Sequence, residues 1–242
     1  MSNVDCLFII PARSGSKRIP NKNIVEIAGK PLIAYTIETC LEIVPSDRVW
    51  VSTDSQEIAD ISIQFGAKIP GIRPESLSND NSPDIEWVQY ALEHWISKDE
   101  FEFLGIMRPT SPLRKSRTIL RALNTLKAQG EYDSIRAIRP VKEHPGKMWI
   151  KVGESIIPFM PGVNPVTRTH FHSSPLQSLP EMWIQDASLE IARMNSIIKN
   201  GTISGNHVLG FEMPDKEGFD LNYLEEIPQL EKILIENELN RF

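Results

Sequence analysis

"IIPARSGSKRIPNKN", residues 9–23, joins an apolar run to a stretch rich in positive charge. Arg13, Lys17, Arg18 and Lys22 all fall between residues 13 and 22, with no acidic residue among them, although the whole chain carries a net charge of −6. "VDCLFII" just before it reads as a buried strand, so the cations leave the end of that strand. Neither common phosphate-binding pattern fits. The P-loop needs two glycines and a Gly-Lys-Ser/Thr ending, and the dinucleotide fingerprint needs three glycines leading straight into a helix. Only Gly15 is present, and Pro20 forbids that helix, because its ring removes an N–H and biases Ile19 towards extended geometry. The next helix start is Pro31, which leaves about 20 residues without regular structure, a length that marks a functional or a disordered loop. Ile19, Ile24, Val25 and Ile27 supply apolar anchors and favour order.

Working outward, "PLIAYTIETCLEI" reads as a helix with Pro31 in its first turn, "RVWVSTD" as a strand, and "SQEIADISIQFG" as a helix stopped by Gly66. "DIEWVQYALEHWI" and "RKSRTILRALNTLKAQG" are further helices, while "FEFLGIM" and "YDSIRAIRP" are strands. Strands separated by helices indicate crossover units and a parallel sheet, hence an α/β sandwich over residues 1–140. Between 141 and 192 the pattern changes. "KMWIKVGESIIPFM" reads as a hairpin turning at Gly153, "PGVNPVTRTHFHSSPLQSLP" is irregular, and "EMWIQDASLEIARM" is extended, which together suggest a protruding arm. "NHVLGFEM" and "NYLEEIPQLEKILIENEL" then read as a strand and a helix that complete the α/β domain over 193–242.

Composition excludes several classes. Apolar content of 40% and charged content of 24% are those of a globular chain. No segment approaches the ~20 apolar residues of a membrane span. "MSNVD" has no basic n-region and "CLFII" is too short for a signal peptide core. A pI near 5.5 argues against nucleic-acid binding. Cys6 and Cys40 sit in apolar runs and read as buried thiols. The expectation is a cytoplasmic protein whose positive charge is local.

Two readings of the loop stand side by side. It is either a solvated basic turn or a polyphosphate cradle beyond the carboxyl end of the first strand, where open parallel sheets bind ligands. In the second, the backbone N–H groups of Ser14, Gly15 and Ser16 approach the oxygens while Arg13, Lys17 and Lys22 neutralise them.

"IIPARSGSKRIPNKNIVEIAGKPLIAYTIE" resembles the N-terminal signature of the CMP-sialic acid synthetases, or acylneuraminate cytidylyltransferases, whose relatives activate legionaminic, pseudaminic and ketodeoxyoctonic acids. "VSTDSQEIADISIQFGA", "RPESLSND", "RPTSPLR", "EHPGK", "LPEMWIQDASLEI" and "GFDLN" extend the resemblance over nearly the whole chain. It implies a Rossmann-like α/β/α sandwich of the nucleotide-diphospho-sugar transferase type, a homodimer with 141–192 as its dimerisation arm, and CMP transfer from CTP to an acidic nine-carbon α-keto sugar. It places Arg13 and Lys22 on the triphosphate with Ala12, Ser16, Lys17, Asn23 and Arg73 at the nucleotide, and Lys147 and Gln177 at the sugar. Asp220, with Asn222, would hold Mg²⁺ or Mn²⁺. An eight-carbon acid substrate and a non-catalytic nucleotide-binding scaffold are the alternatives.

Three positions depart from the family pattern. Arg108 replaces a common glutamine before "PTSP", Asp186-Ala187-Ser188 replaces Asn-Gly-Ala, and Asn222 replaces the second carboxylate of Asp-x-Asp. Leu176 stands where some members carry a sugar-facing arginine, and an arginine at 108 could bind the sugar carboxylate in its stead. Outside these motifs the residues read as structural. Asp54 is a helix cap, the "HFH" of 170–172 lies in an irregular arm without a third metal ligand, and Trp50, Trp87 and Trp95 belong to the core. His144 before Pro145 is either a turn residue or part of the site.

Overall fold

Alternate side chains of the first strand enter two different cores, and this divides the molecule into layers. In the computed structural model, which describes residues 4–97, 100–214 and 216–239, Cys6, Phe8 and Ile10 pack with Ile33, Ile37, Ile58 and Ile119. Leu7 and Ile9 pack on the other face with Trp87, Val88, Ala91 and Ile197. A strand covered on both faces needs a continuous apolar run, and "CLFII" supplies it. The first three residues of "MSNVD" lie outside the described residues.

The elements follow in chain order as β1 (Cys6–Pro11), the short ribbon β2 (Glu26–Ile27) and β3 (Lys30–Pro31), α1 (Leu32–Leu41), β4 (Val49–Ser52), α2 (Gln56–Gln64), α3 (Asp84–His94) and β5 (Phe103–Ile106). Then come α4 (Ser116–Ala128), β6 (Ser134–Pro140), β7 (Trp149–Val152), β8 (Ser155–Pro158), β9 (Trp183–Arg193), α5 (Met194–Asn200), β10 (Val208–Glu212) and α6 (Ile227–Leu239). The main sheet has six strands in the order β10-β6-β9-β5-β1-β4. β1 pairs parallel to β4 and β5, placing Ile9 opposite Trp50 and Phe8 opposite Gly105. A Cβ on Gly105 would stand 2.5 Å from the Phe8 ring, so glycine is required at that crossing.

The sheet is mixed, whereas the sequence suggested a parallel one. β9 runs antiparallel to β5, with Gly105 opposite Ile191. A parallel partner needs a crossover element, and the residues between β6 and β9 contain a hairpin and single 3₁₀ turns in place of an α-helix. α1, α2 and α4 line one face of the sheet, and α3 and α5 the other. The strands and longer helices read from the sequence all form. α5 was not anticipated; it is a short segment closed by Gly201 at φ 63°. Pro31 is the N-cap of α1 and lies just outside its first turn.

The chain divides into two compact units. One runs to Ala137 and resumes at Asp186; the other is Ile138–Gln185. In the second unit β7 and β8 form an antiparallel hairpin that turns at Gly153, φ 62°. Its irregular stretch is organised by buried Asn164, whose carboxamide donates to Ser178 O (2.8 Å) and accepts from Val166 N–H (2.8 Å). The first unit holds the long loop after β1. Ile19 and Ile27 are buried with Leu113, Leu221, Leu230 and Leu234, and Val25 packs against them, so the loop is an ordered part of a third core. Trp50 and Trp87 are buried and Trp95 is partly buried. Cys6 and Cys40 are buried free thiols, and burial pushes the pKa of Cys40 up to about 12.

Candidate functional site

The loop leaves β1 at Ala12, which is fully buried and donates its N–H to Ser52 O (3.0 Å) at the end of β4. Ser14 is then fixed by Asp54, which accepts from both its N–H and its Oγ at 2.9 Å. This corrects the reading of Asp54 as a helix cap. Ser55 is the N-cap of α2 and accepts from Ile58 N–H, leaving Asp54 to face the loop. The amide cradle expected over Ser14–Ser16 is also corrected, because Ser14 N–H is held by Asp54 and Ser16 N–H donates to Ser14 O (2.8 Å). The loop's offering to an anion is therefore mainly its side chains.

Those side chains converge. A cleft of about 330 Å³ is lined by Arg13, Ser16, Lys22, Asn23, Arg73 and Arg108, together with residues 77–80, Ser82 and Asp84. Buried Asn23 donates from Nδ2 to Arg13 O (2.9 Å) and props the backbone beneath the guanidinium. Arg13 donates to Asp80 Oδ1 (2.6 Å), and Lys17 pairs with the other oxygen of the same carboxylate. These two donors hold the Asp80 carboxyl below the usual carboxylate range, Lys17 contributing most. Arg73 is buried over the Trp87 ring, donates from Nε to Ser78 Oγ (3.1 Å) and takes Thr53 O through its N–H (2.8 Å). Burial lowers its pKa, while Asp54 and Asp84 counter the fall.

Lys22 lies at the edge of this cleft towards the C-terminal segment. Burial lowers its pKa from the ordinary lysine value, nearby Asp220 opposing and Arg18 adding to the shift. Asp220 accepts from Asn222 Nδ2 (2.9 Å) on one oxygen, and its Oδ1 is buried without a hydrogen-bond partner. Asn222 Oδ1 accepts from Arg18 (3.5 Å), whose guanidinium sits 5.2 Å from the Tyr223 ring centre. Among the described residues no group of three His, Cys, Asp or Glu side chains could hold a metal.

Arg108 faces the cleft but is already engaged by Asp84 at the start of α3. Glu190 on β9 pairs with Arg136 on β6; burial raises its pKa in spite of that partner and of Arg108. Beneath this wall Arg114 is buried and donates to Ser188 O, Thr36 Oγ1 and Arg108 O. Its pKa falls to about 10 through burial. Arg114, Asp80, Asp84 and Glu190 were not singled out from sequence. Arg114 stood inside the quoted "RPTSPLR", yet nothing in its spacing distinguishes a buried clamp from a surface cation.

Lys147 and Gln177 belong to the other unit. There Lys147 Nζ donates to His172 O (2.9 Å) and Ser174 O, and Gln177 is exposed. His144 is the cap of a 3₁₀ turn, with Nδ1 accepting from Gly146 N–H (2.9 Å), which supports its structural reading. His170 and His172 stack with ring centres 5.3 Å apart.

The sequence profile of the cytidylyltransferases matches residues 7–147, more than half the chain and the segment that holds Arg13, Lys22, Arg73 and Arg108. This chain belongs to the cytidylyltransferase family. Among curated relatives, a CMP-N,N'-diacetyllegionaminic acid synthase of Legionella pneumophila is 41% identical over 140 residues, covering 57% of this chain and 60% of its own length. A pseudaminic acid cytidylyltransferase of Campylobacter jejuni is 40% identical over 117 residues, covering 48% and 50%. The matches thus span roughly half the length of these relatives. A solved CMP-2-keto-3-deoxy-manno-octonic acid synthetase complexed with CTP superposes with a TM-score of 0.66 at 14% identity, over 96% of this chain and 99% of that one. That likeness fixes the fold as a Rossmann-like α/β/α sandwich of the nucleotide-diphospho-sugar transferase type. In this chain the basic loop, the cleft and the Arg73 segment all lie within the family's matched region, whereas Gln177, Asp220 and Asn222 lie beyond it.

Proposed function

We propose that this chain transfers CMP from CTP to the anomeric hydroxyl of a nine-carbon α-keto acid sugar of the sialic, legionaminic or pseudaminic type. The observation that carries this reading is the convergence of Arg13, Lys22, Arg73 and Arg108 on one cleft at the carboxyl end of β1. The family match and the legionaminic and pseudaminic acids named for the two relatives support it.

In the reaction the sugar oxygen bonds to the α-phosphorus as the bond from that phosphorus to the bridging oxygen breaks. Pyrophosphate leaves with the electron pair, and the hydroxyl proton passes to solvent. Such transfer depends on positioning and on neutralising charge. Arg13 and Lys22 take the triphosphate, with Ala12, Ser16, Lys17, Asn23 and Arg73 shaping the nucleotide side. Arg108 takes the acidic sugar; Lys147 and Gln177 are sugar contacts by the family resemblance, Lys147 reaching the sugar of a partner subunit. The unpartnered, buried Asp220 Oδ1 fits a hard divalent cation such as Mg²⁺ or Mn²⁺, with Asn222 beside it. With no trio of protein ligands among the described residues, phosphate oxygens and water would complete its coordination. Bound there, the cation would neutralise charge on the phosphates.

The same reading includes a cytoplasmic homodimer. Among the described residues no helix is long and apolar enough to cross a membrane. The second unit exposes Trp149, Ile150, Val152, Ile156, Ile157 and Phe159, an apolar surface that a second copy would cover. Pyrophosphate release from CTP with a panel of nine- and eight-carbon α-keto acids tests the function. Release with the nine-carbon acids is expected. Preference for the eight-carbon acid would shift the substrate class, and no release with any acid would leave a binding scaffold.

A further inference from the structure

Arg13 and Lys17 converge on Asp80 in the way two cations converge on a phosphate. One donates to each carboxylate oxygen, Arg13 to Oδ1 at 2.6 Å and Lys17 to Oδ2. Arg13 is further braced by Ser78 O at 3.4 Å, on the segment that carries Asp80. Arg13, Asp80, Ser78 and Lys22 line the same cleft. Asp80 is part-exposed, with 38% of its side chain accessible, so its carboxylate can leave the cations by rotation into water.

We propose that Asp80 is an internal stand-in for a substrate phosphate, an exchangeable counter-ion that occupies the cations of the loop between turnovers and displaces pyrophosphate from them. The inference rests on the cytidylyltransferase reading above. Without such a counter-ion, Arg13 and Lys22 of the cleft and the exposed Lys17 beside them would repel one another. With it, they are held together at the cost of some affinity for the incoming triphosphate. The exchange matters most at the end of the reaction. Pyrophosphate carries concentrated negative charge, and its departure from several cations would otherwise be slow, as product release often is. A tethered carboxylate supplies a high local concentration of competing anion and lowers that barrier. Asp80 in this role touches neither the sugar nor the cytosine, so its removal alters anion exchange and leaves sugar recognition unchanged.

The experiment is direct calorimetric binding of pyrophosphate and of CTP to the full chain and to Asp80→Asn. Glu75→Gln, an exposed charge on the same segment, serves as the reference for a general change in charge. Asp80→Asn should bind pyrophosphate about three- to tenfold more tightly, the size expected for releasing part-exposed ion pairs. Glu75→Gln should change it by less than twofold. In turnover, the KM for CTP and the inhibition constant of pyrophosphate should both fall, kcat should fall, and the KM for the sugar should stay unchanged. Asp80→Glu should restore the original values in part. Unchanged or weaker pyrophosphate binding in Asp80→Asn overturns the proposal and makes Asp80 a fixed support of Arg13. An equal gain in Glu75→Gln overturns it too, by reducing the effect to net charge. If the unsubstituted protein binds neither CTP nor pyrophosphate, the nucleotide reading itself falls.

Discussion

Asp54 holds Ser14 twice, accepting from its N–H and from its hydroxyl at 2.9 Å each. This bond pair ties the basic loop after β1 to Asp54, two residues beyond the end of β4, which is the neighbouring strand of the sheet. The loop that carries Arg13 is thus registered against the sheet by a carboxylate 40 residues away in sequence.

Asp54→Ala should misplace Arg13 and its neighbours while leaving the core intact. A small misplacement of a positioning group can cost up to about 100-fold, and a tenfold or greater loss of kcat/KM for CTP is expected. Melting should shift little, because Ser55 still caps α2. Steady-state kinetics beside a thermal melt check this. A large drop in Tm with normal kinetics in the surviving protein would make Asp54 a folding residue only.

Lys22→Ala should lower kcat by about 100-fold or more, the scale of removing one transition-state donor. Lys22 also sets a pH limit. Burial lowers its pKa in the folded protein, so the charge that the phosphates require is lost at a lower pH than for an ordinary lysine. Activity should fall on an alkaline limb below pH 10.5, and Lys22→Arg should move that limb upward. The sign for stability is the opposite. Between the folded and unfolded pKa values the unfolded chain binds more protons, so this residue's contribution to stability rises with pH across that window. A pH–rate profile with no difference between Lys22 and Lys22→Arg would remove it from the alkaline limb.

Arg108→Gln should raise the KM for the acidic sugar by at least about tenfold and largely spare that for CTP, since a charge pair is lost. Asp84 holds one side of the guanidinium, so Asp84→Asn should also weaken the sugar by freeing Arg108 from its orientation. The double variant should cost less than the sum of the two, because the residues act as a pair. An unchanged sugar KM with a damaged CTP KM would assign Arg108 to the nucleotide.

Turnover should depend strictly on Mg²⁺ or Mn²⁺, and Asp220→Ala should lose most activity. With Asn222 beside a single carboxylate, the metal should bind weakly alone and enter mainly with CTP. Asn222→Asp adds a charge and should tighten Mn²⁺ binding in the absence of CTP, measured by paramagnetic relaxation of water, without being needed for turnover. Full activity in EDTA or in Asp220→Ala would take the metal out of this site.

The alternation of strand and helix, the break at Pro20 and the apolar anchors Ile19 and Ile27 were legible in the sequence, because each depends on a local pattern. A period of apolar residues records which faces will be buried, and a proline forbids a helix wherever the chain goes. From these alone the basic loop could be placed after the first strand, and its motifs marked the family. Which acid meets which base was decided only by the tertiary structure. Asp80 reaches Arg13 across 67 residues, and Asp84 reaches Arg108 across 24. Asp54 faces Ser14 where local propensity favoured a helix cap. Arg114 is buried beneath the cleft because β9 and the segment after β5 close over it. Charge pairs of this kind have no period along the chain. They arise when strand register and loop path bring separate segments within a few ångströms, and a carboxylate's local sequence holds no record of the cation it will meet.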